Sequence, residues 1–231
     1  MGNTKKHLIF DLDDTLWDYK RNSREALTEL CDAYKLTDQG IDHSVFLSTF
    51  REVNHDLWHR FDQGLIDRDV IRAERFPSVF EKLSLNPDGI ALQMQDEFMA
   101  ICPVKPALVN GAKEVLDYLG EKYALHILTN GFDEIQFTKL KASGINDYFK
   151  NVITSGRVGY RKPQPEIFAY LLQEIGATKE ECVMIGDNPV SDIEGAYRFG
   201  IDQVYFNTHD KECLVNPNYT ITDLRELNKL F

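Results

Sequence analysis

The sequence predicts an α/β protein with a doubly wound parallel sheet and an inserted all-helical domain. Short apolar runs alternate with segments of helical periodicity after residue 104, and one further run, HLIFDLD, opens the chain. Strand-length apolar runs separated by helices are typical of a parallel sheet that helices cover on both faces. Residues 17–104 show helical spacing and no strand pattern, which predicts a separate helical domain.

The elements follow one another in a simple order. The first strand is predicted at the start of the chain, within HLIFDLD, and the later ones lie at 124–129, 151–155, 182–187 and 202–207. Helices are predicted near 110–122, 133–143, 164–175 and 190–199, and in the insert near 22–35, 43–62, 67–84 and 88–100, with breaks at Gly40, Gly64, Pro87 and Pro103. We therefore expect an α/β core of residues 1–16 and 105–231 and a helical cap of residues 17–104.

The composition of the chain argues against some classes of binding partner. The 231 residues carry 26 basic and 37 acidic side chains, a net charge of −11, and hydrophobic residues make up 43% of the chain. A polyanion such as nucleic acid, or an anionic membrane, requires a basic surface. These values argue against both, but they leave open a small phosphorylated metabolite, which responds to the local field.

The cysteines and the N-terminal residues indicate a cytoplasmic protein. Four scattered cysteines form no C-x-x-C pair, and Cys182 lies in an apolar run where it is expected to pack as a small hydrophobic residue. MGNTKK precedes the first strand without the apolar segment of a signal peptide.

Polar residues follow four of the predicted strands. They are Asp11 and Asp13 after the first, Thr129, Asn130 and Gly131 at the second, Lys162 after the third, and Gly186, Asp187 and Asn188 at the fourth. In open α/β sheets the carboxyl ends of the strands form the ligand site. We therefore expect these residues, which are far apart in sequence, to meet at one edge of the sheet.

These residue types support phosphoryl chemistry. Asp11 and Asp13 are two positions apart and, on a strand, would leave on the same face. One carboxylate can attack as a nucleophile and the other can transfer protons. Two anions facing a phosphate require a hard cation, best Mg²⁺, with Asp187 as a further ligand. Thr129, the amides of Asn130 and Gly131, and Lys162 could bind phosphate oxygens.

Four motifs resemble those of the haloacid dehalogenase superfamily. They are DLDDT, ILTN, Lys162 in RKP, and GDNPVSD, in that order. The resemblance implies that Asp11 is the nucleophile, Asp13 the acid/base, and Thr129 and Lys162 the phosphate-binding groups. It also implies a Mg²⁺ site formed by Asp11, Asp187 and the backbone carbonyl of Asp13, with Asp192 and Asn188 in support.

The second aspartate distinguishes phosphatases from true dehalogenases in this superfamily, so the chain looks like a phosphatase or phosphotransferase. NHDLWHRFDQGLIDRDVIRAERF and LTNGFDEIQFTKLKASGINDYF resemble the pyrimidine 5′-nucleotidases of the YjjG type. That resemblance implies nucleoside monophosphate substrates, with Trp58, Phe61 and Arg72 as candidate substrate-binding residues. Trp58 and Phe61, three apart, fit a packed helix face equally well.

Other functions compete with this one. An EF-hand reading of DLDDTLWDYKRN fails, because Leu16 occupies the glycine position and Asn22 that of the bidentate glutamate. A sugar-phosphate or phosphoglycolate phosphatase, or a phosphomutase, stays open. A receiver-type phospho-aspartate module is disfavoured by the length of the chain and the insert, and a catalytically inactive binding protein by the complete set of motifs.

Overall fold

A computed structural model describes residues 4–86 and 89–231, so the predicted break at Pro87 lies outside the described residues. The chain divides into two compact units. One unit consists of the residues up to Tyr19 together with Pro106–Phe231, and the other of Lys20–Lys105. The assignment of residues 17–104 as a cap stays a prediction.

The strands and helices alternate as the sequence predicts in the second half of the chain. The strands are β1 (His7–Phe10), β2 (Ala124–Thr129), β3 (Phe149–Thr154), β4 (Cys182–Gly186), β5 (Asp202–Phe206) and β6 (Tyr219–Ile221). The helices are α1 (Tyr19–Ala33), α2 (His43–Asp62), α3 (Arg68–Lys82), α4 (Ile90–Ile101), α5 (Ala112–Gly120), α6 (Asp133–Ala142), α7 (Ser155–Val158), α8 (Pro165–Ile175), α9 (Gly195–Phe199) and α10 (Leu227–Leu230). Short 3₁₀ turns cover Leu36–Gln39, Asn146–Tyr148, Lys179–Glu181 and Leu224–Glu226, and a π-helical turn covers Pro189–Glu194.

The first unit contains one six-stranded parallel sheet, in the order β3-β2-β1-β4-β5-β6. The chain runs from β1 outward to β2 and β3, then crosses to the other side of β1 and continues outward through β4 to β6. The direction of winding therefore reverses between β1 and β4. In doubly wound sheets the crevice at the carboxyl ends of the strands beside such a reversal is the ligand site. This fold confirms the predicted α/β class.

The central strand β1 is buried on both faces. Leu8, Ile9 and Phe10 have no solvent exposure, as a strand covered by helices on both sides requires. Ile9 belongs to a core cluster that also contains Met184, Phe168 and the fully buried Cys182. Burial of an aliphatic or aromatic side chain of this size contributes about 1.5–3 kcal/mol. Cys182 packs as a small hydrophobic residue, as predicted.

Several elements of this unit differ from the sequence prediction, which did not include the short helices α7 and α10. The predicted helix at 190–199 is a π-helical turn over Pro189–Glu194 that continues into the short helix α9. The strand β6, three residues long, was absent from the prediction because YTI is too short to show a period.

The second unit is helical: among its described residues, 20–86 and 89–105, no strand is present. Aromatic side chains from three helices fill its core, with Phe50 and Phe98 ring centroids 5.1 Å apart and Phe46 and Phe80 edge to face at 6.5 Å. Arg75 is 3% exposed and donates to Gln95 at 3.0 Å inside this core. Within residues 4–86 and 89–231, no helix combines the length and apolarity that crossing a membrane requires.

Candidate active site

The segment after β1 turns sharply. The strand ends at Phe10, and Asp11 still donates its amide to Ile185 O of β4 at 2.9 Å. Asp14 then adopts a left-handed backbone (φ 60°), and its amide donates to Trp17 O at 2.8 Å. Aspartate tolerates this conformation better than most residues. The side chains of Asp11 and Asp13 contact different elements: Asp11 contacts Lys162, and Asp13 contacts helix α6. That the two carboxylates share one face stays a prediction.

Asp11 lies in a buried cluster with Lys162 and Asp192. The Lys162 ammonium donates to Asp11 Oδ1 at 2.7 Å and to Asp192 Oδ1 at 2.6 Å. The side chains of Lys162 and Asp192 are each 1% exposed. Two carboxylates so near each other would repel in a low dielectric, and the ammonium between them offsets that repulsion.

Burial dominates the electrostatics of this cluster. It raises the pKa of the Asp11 carboxyl well above its usual range; Lys162 opposes the shift, while Asp192 and Asp187 reinforce it. Burial disfavours the charged form of Lys162 too, but Asp11 and Asp192 outweigh burial and raise the pKa of Lys162 above its usual value. Lys162 therefore stays a cation.

Carboxylates of Asp11, Asp187 and Asp192 converge, with one oxygen from each lying within 4.8 Å of the others. Asp187 is anchored by Thr15: its amide donates to Thr15 Oγ1 at 3.1 Å, and that hydroxyl is 3.5 Å from Asp187 Oδ1. Oxygen atoms of this kind are the ligands that Mg²⁺ prefers. Lys162 donates to Asp11 and Asp192, and Lys211 Nζ lies 3.8 Å from Asp187 Oδ2, so the three carboxylates exceed these two ammonium groups in charge, which suits a divalent cation.

Protein donors already occupy both oxygens of Asp192. Oδ1 accepts from Lys162 and from Ser191 Oγ at 3.3 Å, and Oδ2 accepts from the Asn188 amide at 3.0 Å. A Cβ at Gly186 would lie 2.2 Å from Asp192 Oδ2, so this position needs glycine to admit the carboxylate. Asn188 Oδ1 caps the π-helical turn by accepting from the Val190 and Ser191 amides, each at 3.0 Å. Asp192 therefore suits a supporting role better than that of a metal ligand.

The second motif connects two parts of the site. The hydroxyl oxygen of Thr129, at the end of β2, accepts from the Gly131 amide at 3.1 Å. The Asn130 side chain donates to Lys162 O at 2.9 Å and accepts from the Lys162 amide at 2.8 Å. Asn130 thus fixes the backbone that carries Lys162, a role that the sequence analysis did not assign to it.

Asp13 contacts helix α6. Its Oδ2 accepts from Gln136 Nε2 at 3.0 Å, and its Oδ1 lies 2.5 Å from Lys139 Nζ. Sequence reasoning missed both partners, since a glutamine and a lysine in a helix resemble ordinary surface residues. Their spacing of three, just after the TNG motif, was the available signal, because it places both side chains on one helix face at the end of a strand.

The three candidate substrate-binding residues of the insert lie in the helical unit. Phe61 is 4% exposed and packs edge to face against the half-buried Trp58, with ring centroids 5.5 Å apart. Arg72 is exposed on α3. This arrangement fits the packed helix face that the spacing also allowed for Trp58 and Phe61, and the part of all three in substrate binding stays a prediction.

The fold and these motifs define a hydrolase class. A family model for the haloacid dehalogenase-like hydrolases matches residues 5–200. The chain belongs to this family of enzymes.

Relatives of similar length support this assignment. The pyrimidine 5′-nucleotidase PynA of Streptococcus pneumoniae is 31% identical over 96% of this chain and 93% of its own length. A glyceraldehyde 3-phosphate phosphatase of Pyrococcus abyssi is 30% identical over 87% of this chain and 81% of its own length. The crystal structure of the HAD-hydrolase YfnB of Bacillus subtilis, bound to magnesium, has a TM-score of 0.88 at 28% identity and covers 99% of both chains. These findings confirm the predicted superfamily and the likeness to pyrimidine 5′-nucleotidases.

Proposed function

We propose that this hydrolase is a Mg²⁺-dependent phosphomonoesterase that acts through an aspartyl phosphate, an acyl phosphate formed on Asp11. The observation that carries the proposal is the position of Asp11. It lies at the reversal point of the sheet, bound to Lys162 at 2.7 Å and grouped with Asp187. A buried carboxylate beside a fixed cation, at the place where such sheets bind ligands, is suited to attack a phosphoryl group.

The reaction divides into two transfers. In the first, a carboxylate oxygen of Asp11 forms a bond to phosphorus while the bond from phosphorus to the alcohol oxygen breaks, and Asp13 donates a proton to that oxygen. In the second, Asp13 takes a proton from water, the water oxygen attacks the phosphorus, and the bond to Asp11 breaks. Inorganic phosphate leaves and both aspartates return to their starting forms.

Other side chains act on the phosphoryl group itself. Lys162 and the Thr129 hydroxyl would offset the charge that develops on its oxygens. Asp11, Asp187 and the backbone carbonyl of Asp13 would hold Mg²⁺, which neutralises charge and aligns the reacting oxygens when bound. The oxygen-only donor set of this chain and the magnesium bound in the related YfnB structure support that assignment.

We further propose that the substrates are nucleoside 5′-monophosphates, with pyrimidine bases preferred, and that the enzyme is cytoplasmic. The support is the full-length similarity to PynA and the resemblance of the insert to pyrimidine 5′-nucleotidases. A sugar phosphate is the second candidate, since the glyceraldehyde 3-phosphate phosphatase relative is almost as similar.

A kinetic comparison on the purified protein with Mg²⁺ tests both the phosphatase activity and the preference for nucleotides. We expect kcat/KM for dUMP, dTMP or UMP to exceed that for glyceraldehyde 3-phosphate, glucose 6-phosphate and phosphoglycolate at least ~10-fold, a difference of about 1.4 kcal/mol in transition-state binding. The variant Asp11→Asn serves as the inactive control. A ratio at or below one would contradict the nucleotidase assignment only. Failure to hydrolyse any phosphomonoester, 4-nitrophenyl phosphate included, would contradict the phosphatase.

A further inference from the structure

We propose that Gln136 and Lys139 are positioning residues for Asp13, and that Gly131 is glycine in order to let Gln136 reach it. The inference rests on the proposed function, in which Asp13 transfers the proton. It gives a role in the reaction to two residues of α6 that belong to none of the four motifs.

Both oxygens of the Asp13 carboxylate are bound from this one face. Gln136 Nε2 donates to Oδ2 at 3.0 Å, and Lys139 Nζ lies 2.5 Å from Oδ1. Gln136 is 1% exposed and Lys139 6% exposed, whereas the Asp13 side chain is 31% exposed. The two donors are thus buried behind the carboxylate, which itself remains open to solvent. Two donors on two oxygens fix the plane of a carboxylate, and proton transfer depends on that orientation.

Gly131 provides the space for this contact. A Cβ at Gly131 would lie 1.4 Å from Gln136 Nε2 and 2.5 Å from Gln136 Cδ. Gly131 does not have a left-handed backbone, so the conformational freedom of glycine does not explain why glycine occupies this position. Glycine is required here because the Gln136 side chain passes through the volume that any other side chain would fill.

Trp17 supports Lys139 from another side. The ammonium lies 4.6 Å from the centroid of the Trp17 ring, and Trp17 has no solvent exposure. A cation over an indole face gains about 0.5–2 kcal/mol. The turn that carries Asp13 also carries Trp17, so this one turn supplies two of the contacts that fix Lys139.

Gln136 differs from Lys139 in carrying an acceptor too. Its Oε1 is buried and has no hydrogen-bond partner in the part of the chain that the structure describes. A buried acceptor without a partner is costly. Rotation of the amide would place this oxygen where Nε2 now lies, beside Asp13 Oδ2, so that Gln136 can bond the carboxylate or accept an O–H from the carboxylic acid.

The dependence on the leaving group separates positioning from the other roles these residues could have. Alcohols of nucleotides leave poorly without a proton, whereas 4-nitrophenolate leaves well without one. Loss of Asp13 orientation should therefore reduce kcat/KM for dTMP far more than for 4-nitrophenyl phosphate. A lysine that acted on the phosphoryl group, or a merely structural one, would affect both substrates alike.

We expect Lys139→Met and Gln136→Met each to lower kcat/KM for dTMP by ~10-fold or more and for 4-nitrophenyl phosphate by less than ~3-fold, a milder form of the pattern of Asp13→Asn. Lys141→Met, on the exposed side of the same helix, is the matched control and should change neither. In the Asp13→Asn background, Lys139→Met should add no further selective loss. If dTMP proves not to be a substrate, the best alkyl phosphate takes its place.

Gly131→Ala tests the inference without removing either donor. It should displace Gln136 and produce the same selective loss, and Gly131→Ala combined with Gln136→Ala, which removes the clash, should be no worse than Gln136→Ala alone.

Equal losses on both substrates, or no loss on either, would overturn the positioning role. An inactive wild-type protein would instead overturn the proposed function. Thermal unfolding of each variant identifies those that fail to fold, and Lys139→Arg, which keeps the charge, then replaces Lys139→Met.

Discussion

The ammonium of Lys162 and the carboxylate of Asp192 form a hydrogen-bonded ion pair of 2.6 Å in which both side chains are 1% exposed. The pair joins the loop before α8 to the π-helical turn after β4, and Asp11 completes it from the end of β1. Three segments that are distant in sequence thus depend on one buried cation.

Removal of Lys162 leaves two buried carboxylates without this cation, whereas removal of Asp192 leaves Lys162 still paired with Asp11. We expect Lys162→Met to lower the free energy of unfolding by about 3–5 kcal/mol and Asp192→Ala to lower it by less, and the double variant to lose less than the sum of the two. Urea unfolding measures all three. Asp117→Ala, which breaks the exposed pair with Lys113, is the control and should cost less than about 1 kcal/mol. Additive losses would show that the ion pair is not energetically coupled.

The aspartates of the first motif should differ sharply in their effect on turnover. Asp11→Asn and Asp13→Asn should each reduce kcat by at least ~10²-fold, since one loses the nucleophile and the other the proton donor. Asp14→Asn should have little effect, because asparagine tolerates the left-handed backbone of this turn as well as aspartate does. Steady-state kinetics with dTMP measures kcat for the three variants. Similar losses of kcat in Asp13→Asn and Asp14→Asn would contradict the assignment of proton transfer to Asp13.

The proposed ligands Asp11, Asp187 and the backbone carbonyl of Asp13 should make activity depend on a divalent cation. EDTA is expected to abolish turnover and added Mg²⁺ to restore it. Asp187→Ala should raise the Mg²⁺ concentration for half-maximal activity, because it removes one ligand of the proposed set. Asp223→Ala, on an exposed turn, is the control. Full activity in EDTA would remove the metal from the mechanism.

A buried histidine on β2 should make stability depend on pH. His126 on β2 is 2% exposed, with Nδ1 3.1 Å from Asn151 Oδ1 and Nε2 3.0 Å from His7 Nδ1. Burial, reinforced by the neighbouring His7, lowers the pKa of His126 from 6.5 to about 4. Between these values the unfolded chain binds a proton that the folded protein excludes, so stability falls as pH decreases from about 6.5 to about 4.

The expected loss from His126 between pH 7 and 5 is about 2 kcal/mol. Urea unfolding at several pH values measures it, and His126→Phe should flatten the dependence, whereas His55→Gln, on an exposed position, should leave it unchanged. An identical pH dependence in His126→Phe and wild type would exclude His126 as the cause.

The order and type of the elements were predictable because buried strands and amphipathic helices have different periods. The runs at 7–10, 124–129 and 182–186 contain almost only apolar residues, and the structure forms strands there. The parallel sheet was predictable too, since parallel strands joined by helices bring their carboxyl ends to one edge, whereas the order of the strands was not predicted.

The directions of individual side chains were not predictable. The period of two holds only while a strand continues, and β1 ends at Phe10, so the alternation could not identify the contacts of Asp13. The hydrogen-bond partners of Asp13 depend on the packing of α6 and on the absence of a Cβ at Gly131. Both are features of the tertiary structure, which the local sequence pattern does not reveal. Likewise, Thr15 belongs to a recognised motif, yet its contact with Asp187 depends on the pairing of β1 with β4.

The central place of β1 has a consequence for the order in which the chain can fold during synthesis. β1 leaves the ribosome first, but its two neighbours begin only at Ala124 and Cys182. The helical unit of Lys20–Lys105 is complete before either neighbour exists. Local helical contacts form fast, whereas pairing between distant strands is slow. The strand that precedes Asp11 must therefore wait, apolar and unpaired, until β2 has been made, and a nascent chain stalled before β2 should be the species most prone to aggregation.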